Sequence, residues 1–488
     1  MSDFPLLASL KKSIKNENHA ALITPNGFIT YKKFFQLIHE RESALLGLNI
    51  NNGDLVGLSL SKSNFEILIT QLAISNIGAI ILPIPIPRGE GGRKAIAEKF
   101  IPKIVITENE TLSIKDFKAI SLNEIKSSHK STESHGVKKL NKSNPLLVTL
   151  SSGTTGTIKG IVVTHEDMLF RIEHLPMNFS VETRAVPFDV NYALGFASAM
   201  RILKGNGSIV FLSNKIKNRI MTHSRLAEFN LMAVNYAEFS PSQLAGMIES
   251  YPNPFGKIVS TDLTVRIVGD FFSEKLLQKI MGRMTKKILY SYGLTEMGAI
   301  TFSSPNCQND LDGGGVLVKD MVVECVDMND KPVLKNEIGQ IRIKYSEMPK
   351  EYFMDSTLSG IKFKNGWYYT GDNGILTDEN KLIIKGRDDD VVNIGGTLTN
   401  LNAIKDTIQK IEGVLNAYAF GKKDDNDITQ LYVAIISDEK INADQLKKMC
   451  SASVKPSPKK IFILNEFPLN ANGKIDRKRL EDQVLIKS

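Results

Sequence analysis

Near its N-terminus the chain alternates helix-forming segments with short, uninterrupted apolar runs, and this alternation constrains the fold strongly. A helix is predicted from Tyr31, and the turn Asn52-Gly53-Asp54 precedes a strand predicted over residues 55–60. A buried helix over residues 65–75 and a buried strand over residues 79–84 follow. Strands that alternate with helices form parallel sheets whose faces the helices cover, so we expect an α/β fold.

The same region contains an uncharged stretch, residues 67–87, that is long enough to span a bilayer. Polar side chains interrupt its first half, and three prolines and a glycine break its second half. A buried helix that turns into a buried strand explains this pattern better than a membrane span does. No membrane span is therefore expected.

Farther along the chain, four more strands are predicted at residues 185–188, 208–212, 233–235 and 265–268. Residues 322–326 and 339–343 instead alternate polar and apolar side chains like antiparallel strands, with a turn at Asn329-Asp330. The sequence therefore predicts parallel sheets followed by a smaller antiparallel β-subdomain.

Length and composition describe a globular protein of several domains. The chain has 488 residues, of which 42% are hydrophobic and 23% charged. Its net charge of +8 comes from scattered lysines, which favours anionic ligands over nucleic acid as partners. Lysines near the N-terminus interrupt any secretory signal, and Cys307, Cys325 and Cys450 lack metal-ligand spacing. These features are typical of a reduced, cytoplasmic protein.

The segment 148–165, VTLSSGTTGTIKGIVVTH, places hydroxyl residues and glycines between strands predicted over residues 146–150 and 161–163. Hydroxyl groups, backbone N–H groups exposed at glycines and the mobile charge of Lys159 suit a polyphosphate. A polar hairpin loop is the alternative. The candidate nucleotide-binding residues are Ser151, Ser152, Gly153, Thr154, Thr155 and Gly156.

A second candidate site, LYSYGLTEMG, follows another predicted strand. A tight turn at Gly293 is predicted to present Thr295 and Glu296. Tyr292 is suited to stack on a purine, Thr295 to donate to a phosphate, and Glu296 to bind Mg²⁺ together with nucleotide phosphates. The alternative is a helix start that Glu296 stabilises near its N-terminus.

Two shorter motifs follow. GWYYTGDNG places Asp372 on a glycine-flanked turn, where a simple Asx turn is the alternative, and GRDD follows with Arg387, whose alternative is a surface ion pair. In LNANGKIDRKRL, an Asn-Gly turn projects Lys474 from a loop tip, where a lysine is usually only solvated.

The order and separation of these motifs resemble those of the adenylate-forming enzymes: acyl-CoA synthetases, luciferases and the adenylation domains of peptide synthetases. SSGTTGTIKG differs from the common phosphate loop G-x-x-x-x-G-K-[ST] and resembles T-S-G-T-[TS]-G-x-P-K-G, with Ile158 where the family usually has proline. TYKKFF, GDLVGLSL and NEIGQIRIK extend the resemblance to nearly the whole chain.

The resemblance implies a large N-terminal core over residues 1–388 that binds ATP and a carboxylic acid. It also implies a small, mobile α+β C-terminal lid over residues 389–488. Asp372 would bind the ribose hydroxyls, Arg387 would bind ribose or phosphate, and Asp389 would be the hinge. Lys474 would contact the substrate carboxylate and the α-phosphate. Lys474, Glu296, Thr295 and Lys159 are the candidate catalytic residues.

The implied reaction joins a carboxylic acid to AMP, with Mg²⁺ on Glu296, and passes the acyl group to a thiol. That thiol belongs to coenzyme A or to the phosphopantetheine of a separate carrier protein. Leu398 and Ala403 stand where the family usually has Arg and Glu near the hinge, so thiol transfer has less support. Two alternatives remain: an ATP-binding protein of this fold without ligase activity, and a luciferase-type monooxygenase.

The substrate class depends on Asp189, within PFDVN. This stretch resembles the F-D-x-S stretch of amino-acid-activating domains, in which the aspartate pairs with the substrate's α-amino group; a buried carboxylate needs such a cation. Alternatively, Asp189 caps a helix that begins near Asn191. TEMG resembles the acyl- and aryl-CoA group instead, so amino acids and other carboxylic acids both remain open.

Overall fold

A computed structural model of the chain describes residues 5–61, 65–86, 89–108, 118–127, 141–152, 158–212, 223–249, 251, 256–259, 262–269, 272, 274–304, 314–387, 390–394, 397–424, 428–437, 442–468 and 475–485. Its helices are α1 (Pro5–Ser13), α2 (Tyr31–Gly47), α3 (Glu66–Asn76), α4 (Gly89–Phe100), α5 (Leu122–Ser127), α6 (His165–Glu173), α7 (Ala193–Lys204), α8 (His223–Leu231), α9 (Pro241–Glu249), α10 (Glu274–Arg283), α11 (Ser356–Lys362), α12 (Leu401–Gln409), α13 (Ala443–Ser453) and α14 (Arg477–Leu485).

The strands are β1 (Ala20–Thr24), β2 (Gly27–Thr30), β3 (Leu55–Ser59), β4 (Ile80–Pro83), β5 (Ile104–Thr107), β6 (Ala119–Ser121), β7 (Pro145–Ser152), β8 (Ile158–Thr164), β9 (Arg184–Val186), β10 (Ser208–Val210), β11 (Tyr236–Phe239), β12 (Thr264–Val268), β13 (Lys287–Ser291), β14 (Gly293–Leu294), β15 (Gly298–Ala299), β16 (Thr301–Phe302), β17 (Gly315–Leu317), β18 (Val322–Val326), β19 (Ile338–Lys344), β20 (Phe363–Lys364), β21 (Trp367–Leu376), β22 (Lys381–Arg387), β23 (Val391–Ile394), β24 (Thr397–Asn400), β25 (Val414–Lys423), β26 (Thr429–Ser437) and β27 (Lys460–Leu464).

Two mainly parallel sheets form the larger part of the structure. One has the strand order β6-β5-β3-β4-β7-β8, and only β8 is antiparallel to its neighbour. The other has the order β13-β12-β11-β9-β10-β1-β2, and only β2 is antiparallel. Helices alternate with these strands along the chain, which confirms the predicted α/β fold with parallel sheets.

The uncharged stretch forms a buried helix followed by a buried strand, as predicted. Every residue of α3 is buried, and β4 lies inside the six-stranded sheet between β3 and β7. Within the described residues, none of the helices has both the length and the apolar character that crossing a membrane requires.

The strand predicted at residues 233–235 is wrong. Ala233 has a φ of 50°, and the Val234 N–H donates to the Phe229 carbonyl oxygen, so Ala233 and Val234 end helix α8. The strand begins afterwards, as β11. Val234 is fully buried and packs in the core at the end of the helix. An apolar residue is equally suited to a buried strand and to a buried helix end, so the sequence pattern does not distinguish them.

The chain forms two compact units. The first comprises Met1–Val323, Ile343–Tyr369 and Asn380–Leu382, and the second Glu324–Arg342, Thr370–Glu379 and Ile383–Ser488. In the second unit, β25 pairs antiparallel with β26, which pairs parallel with β27. The turn predicted at Asn329-Asp330 is present, with a φ of 60° at Asp330. A domain boundary after residue 388 stays a prediction.

Candidate nucleotide and carboxylate site

The hydroxyl-rich segment forms a β-hairpin from β7 and β8. Ser151 lies opposite Lys159, and the backbone of Ser152 lies opposite that of Ile158. Lys159 is half-buried and has no hydrogen-bond or ion-pair partner among the described residues. Its ammonium is therefore uncommitted within the described ranges. The predicted phosphate-binding residues Gly153, Thr154, Thr155 and Gly156 lie outside the described residues.

Several contacts hold the base of this hairpin. The Lys99 ammonium donates to the Ile158 carbonyl oxygen at 2.6 Å, and the Phe353 N–H donates to the Gly160 carbonyl oxygen at 2.8 Å. Gly160 has no room for a side chain, because a Cβ there would lie 2.8 Å from Val148 Cγ1. The start of β8 is thus fixed by packing against β7 and by hydrogen bonds.

Thr295 and Glu296 lie on the turn of a second, short hairpin. Gly293 pairs with Ala299 and Leu294 with Gly298, so the tight turn spans residues 295–297 and not Gly293. The predicted turn position is therefore wrong, and so is the alternative of a helix start. Gly293 is needed for a different reason: a Cβ there would lie 2.4 Å from the Gly298 carbonyl oxygen, because the two short strands pack closely.

The structure brings Glu296 and Ser151 together. Ser151 Oγ lies 3.4 Å from Glu296 Oε1, a long hydrogen bond, and the Tyr352 hydroxyl donates to the same oxygen at 3.1 Å. Tyr352 is in turn paired with the Tyr368 hydroxyl at 3.2 Å. Glu296 Oε2 has no partner within the part of the chain that the structure describes.

A half-buried carboxylate with one uncommitted oxygen fits Mg²⁺, which prefers hard oxygen ligands. No group of three or more His, Cys, Asp or Glu side chains in the described ranges could hold a metal ion by itself. Glu296 therefore fits a magnesium ion that nucleotide phosphates also hold. Nearby, Tyr292 is 8% exposed, and its purine-stacking role stays a prediction.

In the second unit, Asp372 and Arg387 come together on the neighbouring strands β21 and β22. Arg387 Nε lies 3.1 Å from Asp372 Oδ1, and Asp372 is only 4% exposed. Asp372 lies within β21 and not on the predicted turn, since Gly371, with a φ of 82°, bends the strand without ending it. The simple Asx turn is therefore excluded. Asp372, predicted to bind the ribose hydroxyls, and Arg387, predicted to bind ribose or phosphate, form one ion pair.

The hinge residue Asp389 and the lysine Lys474 lie outside the described residues. Two residues that neighbour them in sequence are described and contact each other. Arg477 Nη1 lies 3.2 Å from Asp390 Oδ1, and Asn402 Nδ2 donates to Asp390 Oδ2 at 2.5 Å. The roles of Asp389 and Lys474 stay predictions.

Asp189 lies in a loop between β9 and α7 that buried polar groups hold. Glu238 Oε2 accepts the Phe188 N–H at 3.0 Å, and Gln71 Nε2 donates to the Val190 carbonyl oxygen at 2.9 Å. Asp189 Oδ1 accepts the backbone N–H and the side-chain Nδ2 of Asn191, at 3.0 and 2.9 Å. Its Oδ2 is bound by no other described residue.

A helix does begin near Asn191, but the alternative that Asp189 caps it is wrong. Helix α7 begins at Ala193 after the N-cap residue Tyr192, which places Asp189 too early in the chain to cap it. Instead, Asp189 closes an Asx turn with Asn191 because a short carboxylate readily accepts the N–H two residues on. Asp189 Oδ1 thus has a structural role, and Oδ2 has no partner in the part of the chain that the structure describes.

A buried charge network behind this loop escaped the sequence analysis. Glu238 accepts hydrogen bonds from Arg266 at 3.0 Å, Ser198 at 2.7 Å and Tyr236 at 2.8 Å. Burial alone raises the pKa of Glu238, but the Arg266 guanidinium and the other donors bring it below its ordinary value. A signal was available: opposite charges stand at the centres of the two neighbouring apolar strands, β11 and β12, in direct register.

Comparisons with known proteins identify the family of this chain. A protein-family model described as "AMP-binding enzyme" matches residues 11–353. An anguibactin system regulator of Vibrio anguillarum is 24% identical over 475 residues, which cover 90% of this chain but only 43% of that protein. A 2-succinylbenzoate–CoA ligase of Listeria monocytogenes is 22% identical and is matched over 97% of this chain and 98% of the ligase.

Solved structures share the fold. The ATP-bound crystal structure of MatB from Rhodopseudomonas palustris superposes with a TM-score of 0.83 at 17% identity, over 99% of both chains. At that identity the likeness shows the fold alone, and the match over both full lengths extends it to the large N-terminal and the smaller C-terminal part.

Proposed function

The chain belongs to the AMP-binding enzyme family, and from this premise we propose that it is an AMP-forming ligase, which activates a carboxylic acid with ATP and passes the acyl group to a thiol. One observation carries the proposal. Ser151 lies on the hydroxyl-rich hairpin and Glu296 on the turn over residues 295–297, called the Thr-Glu turn below. These residues are far apart in sequence, yet Ser151 Oγ lies 3.4 Å from Glu296 Oε1. This contact supports a phosphate-binding loop next to a carboxylate that suits Mg²⁺.

The first half-reaction must overcome repulsion between two anions. A carboxylate is a poor electrophile and carries the same sign of charge as ATP, so both must be neutralised and aligned. Glu296 would hold Mg²⁺, which when bound neutralises phosphate charge. Thr295 and the serine hydroxyls would donate to phosphate oxygens, and Lys159 and Lys474 would supply positive charge. A substrate carboxylate oxygen attacks the α-phosphorus of ATP. The bond from that phosphorus to the α–β bridging oxygen breaks, pyrophosphate leaves, and an acyl-adenylate remains.

In the second half-reaction, a thiol loses its proton and its sulfur attacks the acyl carbon, so that AMP leaves with the bonding electron pair. The acceptor is coenzyme A or the phosphopantetheine of a separate carrier protein. Ala403, where the family usually has a Glu, is exposed on helix α12. This half-reaction therefore rests on the family's chemistry more than on this chain's own residues. The proposed reaction needs ATP and a thiol acceptor, which the cytoplasm supplies, and this need supports a cytoplasmic location for the protein.

Asp189 decides between two classes of acid. Its uncommitted Oδ2 favours a substrate ammonium group, since a half-buried carboxylate gains from a cationic partner. An amino acid is therefore the first candidate substrate. Other carboxylic acids form the second, and for these Asp189 has only its structural bond to Asn191.

The test is acid-dependent release of pyrophosphate from ATP and Mg²⁺, with hydroxylamine to trap the adenylate. Two pools are compared, one of amino acids and one of fatty and aryl acids. Release with either pool supports the ligase. Bound ATP without release from both pools would favour the ATP-binding alternative, and light emission or oxygen consumption would favour the luciferase-type alternative.

Two matched variants connect the activity to the site. Glu296→Gln removes the charge that would bind Mg²⁺ and is expected to lower the rate roughly 100-fold, the usual effect of losing one electrostatic contact in an active site. Glu412→Gln removes an exposed carboxylate in the second unit and is expected to leave the rate unchanged. Equal rates in the two variants would remove Glu296 from the mechanism.

A further inference from the structure

Arg171, on helix α6, binds the turn that carries Thr295 and Glu296. Its Nη2 donates to the Glu296 carbonyl oxygen at 2.7 Å, and its Nη1 donates to the Thr295 carbonyl oxygen at 3.2 Å. Its carbon chain packs against Gly298, where a Cβ would lie 3.1 Å from Arg171 Cγ. One side chain thus contacts the turn through two hydrogen bonds and through packing.

Asp167 fixes this guanidinium from another edge. Arg171 Nε donates to Asp167 Oδ1 at 2.9 Å, and Nη2 lies 2.9 Å from Oδ2. The Tyr345 hydroxyl donates to Asp167 Oδ1 at 2.7 Å. Asp167 is fully buried, and a buried carboxylate is costly without its cation. Asp167 and Arg171 therefore hold each other in one geometry.

The charges of this pair support that geometry. Burial lowers the pKa of the Arg171 guanidinium, but the Asp167 carboxylate raises it to a net value above the ordinary one. Burial raises the pKa of the Asp167 carboxyl, and the guanidinium opposes this shift. With the guanidinium only 2.9 Å away, we take both groups as charged at neutral pH.

Helix α6 connects this pair to the hydroxyl-rich hairpin. The helix follows strand β8 directly, and Thr164 Oγ1 accepts the Asp167 N–H at 3.1 Å to cap it. Among the described residues, the hairpin and the Thr-Glu turn are therefore connected by Ser151 at the Glu296 carboxylate and, through helix α6, by Arg171 at the turn's backbone. The shorter Arg171 bond, 2.7 Å against 3.4 Å, comes from a guanidinium, so we take it as the stronger connection.

We propose that Arg171 is a positioning residue: by holding the carbonyl groups of Thr295 and Glu296 against helix α6, it keeps the Glu296 carboxylate where it meets Ser151 and binds the magnesium–nucleotide complex. The proposal rests on the proposed function for the identity of that ligand, but not for the ordering of the turn.

Amide hydrogen exchange tests the ordering of the turn without any ligand. Arg171→Lys keeps the positive charge, but one ammonium group cannot reach Asp167 and both carbonyl groups together. The Met297 amide, bonded to the Leu294 carbonyl oxygen, and the Ile300 amide, bonded to that of Tyr292, are expected to exchange at least ~10-fold faster. Unchanged exchange at both amides would overturn the proposal.

The matched control is Arg41→Lys. Arg41 is also buried and also paired, with Glu66 at 2.8 Å and with Thr70 at 2.8 Å, between helices α2 and α3. The substitution removes a comparable buried guanidinium away from the turn. Exchange at Met297 and Ile300 is expected to stay at the wild-type rate in this variant.

Binding of ATP, measured in excess Mg²⁺ and again in EDTA, then connects the turn to the ligand. The dissociation constant in Mg²⁺ is expected to rise about tenfold in both Arg171→Lys and Glu296→Gln, with little change in EDTA. A rise in Glu296→Gln alone would overturn the positioning role. Faster exchange in Arg171→Lys with unchanged binding in Glu296→Gln would instead refute the metal role in the proposed function.

A second variant covers the case in which Arg171→Lys does not fold. Tyr345→Phe keeps the ion pair and removes a hydroxyl that donates to Asp167 Oδ1 at 2.7 Å and lies 3.5 Å from the Met297 carbonyl oxygen. Because the second contact touches the turn directly, the Ile300 amide is the readout, and its exchange is expected to speed by a smaller factor, about threefold, because Asp167 is less well held. Wild-type exchange rates in this variant would count against the proposal.

Discussion

The two carboxylate oxygens of Asp189 have different roles: Oδ1 accepts hydrogen bonds from Asn191, and Oδ2 is the proposed partner of a substrate ammonium group. A substitution of nearly equal shape can separate the two roles. Asp189→Asn retains an oxygen that accepts from Asn191 but removes the negative charge. If the substrate is an amino acid, pyrophosphate release is expected to fall roughly 100-fold, the usual cost of leaving a desolvated charge without its partner. Release with acids that lack an ammonium group is expected to stay within a factor of about two.

The matched control is Asp262→Asn, which removes an exposed carboxylate paired with Lys287. It is expected to leave both rates unchanged, because exposed ion pairs contribute little. Equal losses with both classes of acid in Asp189→Asn would show that Asp189 is structural only.

Burial of His165 is expected to make the free energy of unfolding depend on pH. It is fully buried at the start of α6, and burial lowers its pKa to about 3 from an ordinary value of 6.5. The unfolded chain therefore binds a proton at His165 between pH 6.5 and 3 that the folded chain does not, so stability falls as the pH falls through this window.

Between pH 6.5 and 5, this difference costs the folded state about 2 kcal/mol. His165→Gln is expected to lower stability at pH 7.5 by loss of packing but to remove that share of the acid dependence. Urea unfolding of both proteins at pH 7.5 and pH 5.0 measures it. The same loss on acidification in both proteins would assign the acid sensitivity to other groups.

At the scale of elements, helix α7 packs its N-terminal turn directly on the loop that carries Asp189. A Cβ on Gly195 would lie 2.2 Å from the Asp189 carbonyl oxygen and 2.5 Å from that of Phe188. Gly195→Ala must therefore move backbone, and we expect a loss of roughly 1–3 kcal/mol in the free energy of unfolding. Any activity that depends on Asp189 should fall with it.

The control for this substitution lies in another helix. A Cβ added at Gly282, in α10, would meet no neighbouring group within 4 Å, so Gly282→Ala should stabilise the helix by up to about 1 kcal/mol. Thermal unfolding of the two variants compares them directly. A Gly195→Ala protein as stable as the wild type would show that the loop is free to shift.

Apolar patterning predicts most of the elements but not the contacts that build the site. Helix α3 and strands β3 and β4 lie within a residue or two of their predicted positions, because long apolar runs have few other uses. The strand predicted at residues 233–235 fails where apolar residues serve a helix end. Whether an apolar residue lies in a strand or at a helix end depends on what it packs against in the tertiary structure, and the local sequence pattern does not contain that information.

The same limit applies to the site. The motifs predict that Ser151 and Glu296 act on one nucleotide, and the structure brings them together. Arg171 stands 124 and 125 residues before the two carbonyl groups that it binds, and its only local signal is an aspartate one helical turn earlier. Such Asp–Arg pairs are common on exposed helix faces, so the pair becomes informative only when its burial is known.

At the scale of the whole molecule, the C-terminal region has hydrophobic clusters of its own. Two hydrophobic clusters lie entirely within residues 390–485, one around Ile404, Val433 and Leu446 and one around Phe420, Phe462 and Leu480. The sheet β25-β26-β27 and the helices α12, α13 and α14 supply most of these residues. About a hundred residues with their own core are a typical domain.

We therefore expect a fragment of residues 389–488 to unfold in one cooperative transition in urea, as followed by circular dichroism. The second compact unit also contains Thr370–Glu379 and Ile383–Ser488, so a longer fragment, residues 370–488, is the matched comparison. Cooperative unfolding of the longer fragment only would move the boundary to an earlier residue than 388.

The complementary fragment, residues 1–388, separates binding from catalysis. It retains Ser151, Glu296, Asp372 and Arg387 but lacks Lys474. Under the proposed mechanism, ATP should still bind in the presence of Mg²⁺, within about tenfold of the full chain, because the contacts that position the nucleotide remain. Acid-dependent pyrophosphate release should fall at least ~100-fold, because the positive charge that Lys474 brings to the two anions is lost. Release at the full-chain rate would show that the N-terminal core alone performs the adenylation and that Lys474 acts elsewhere in the cycle.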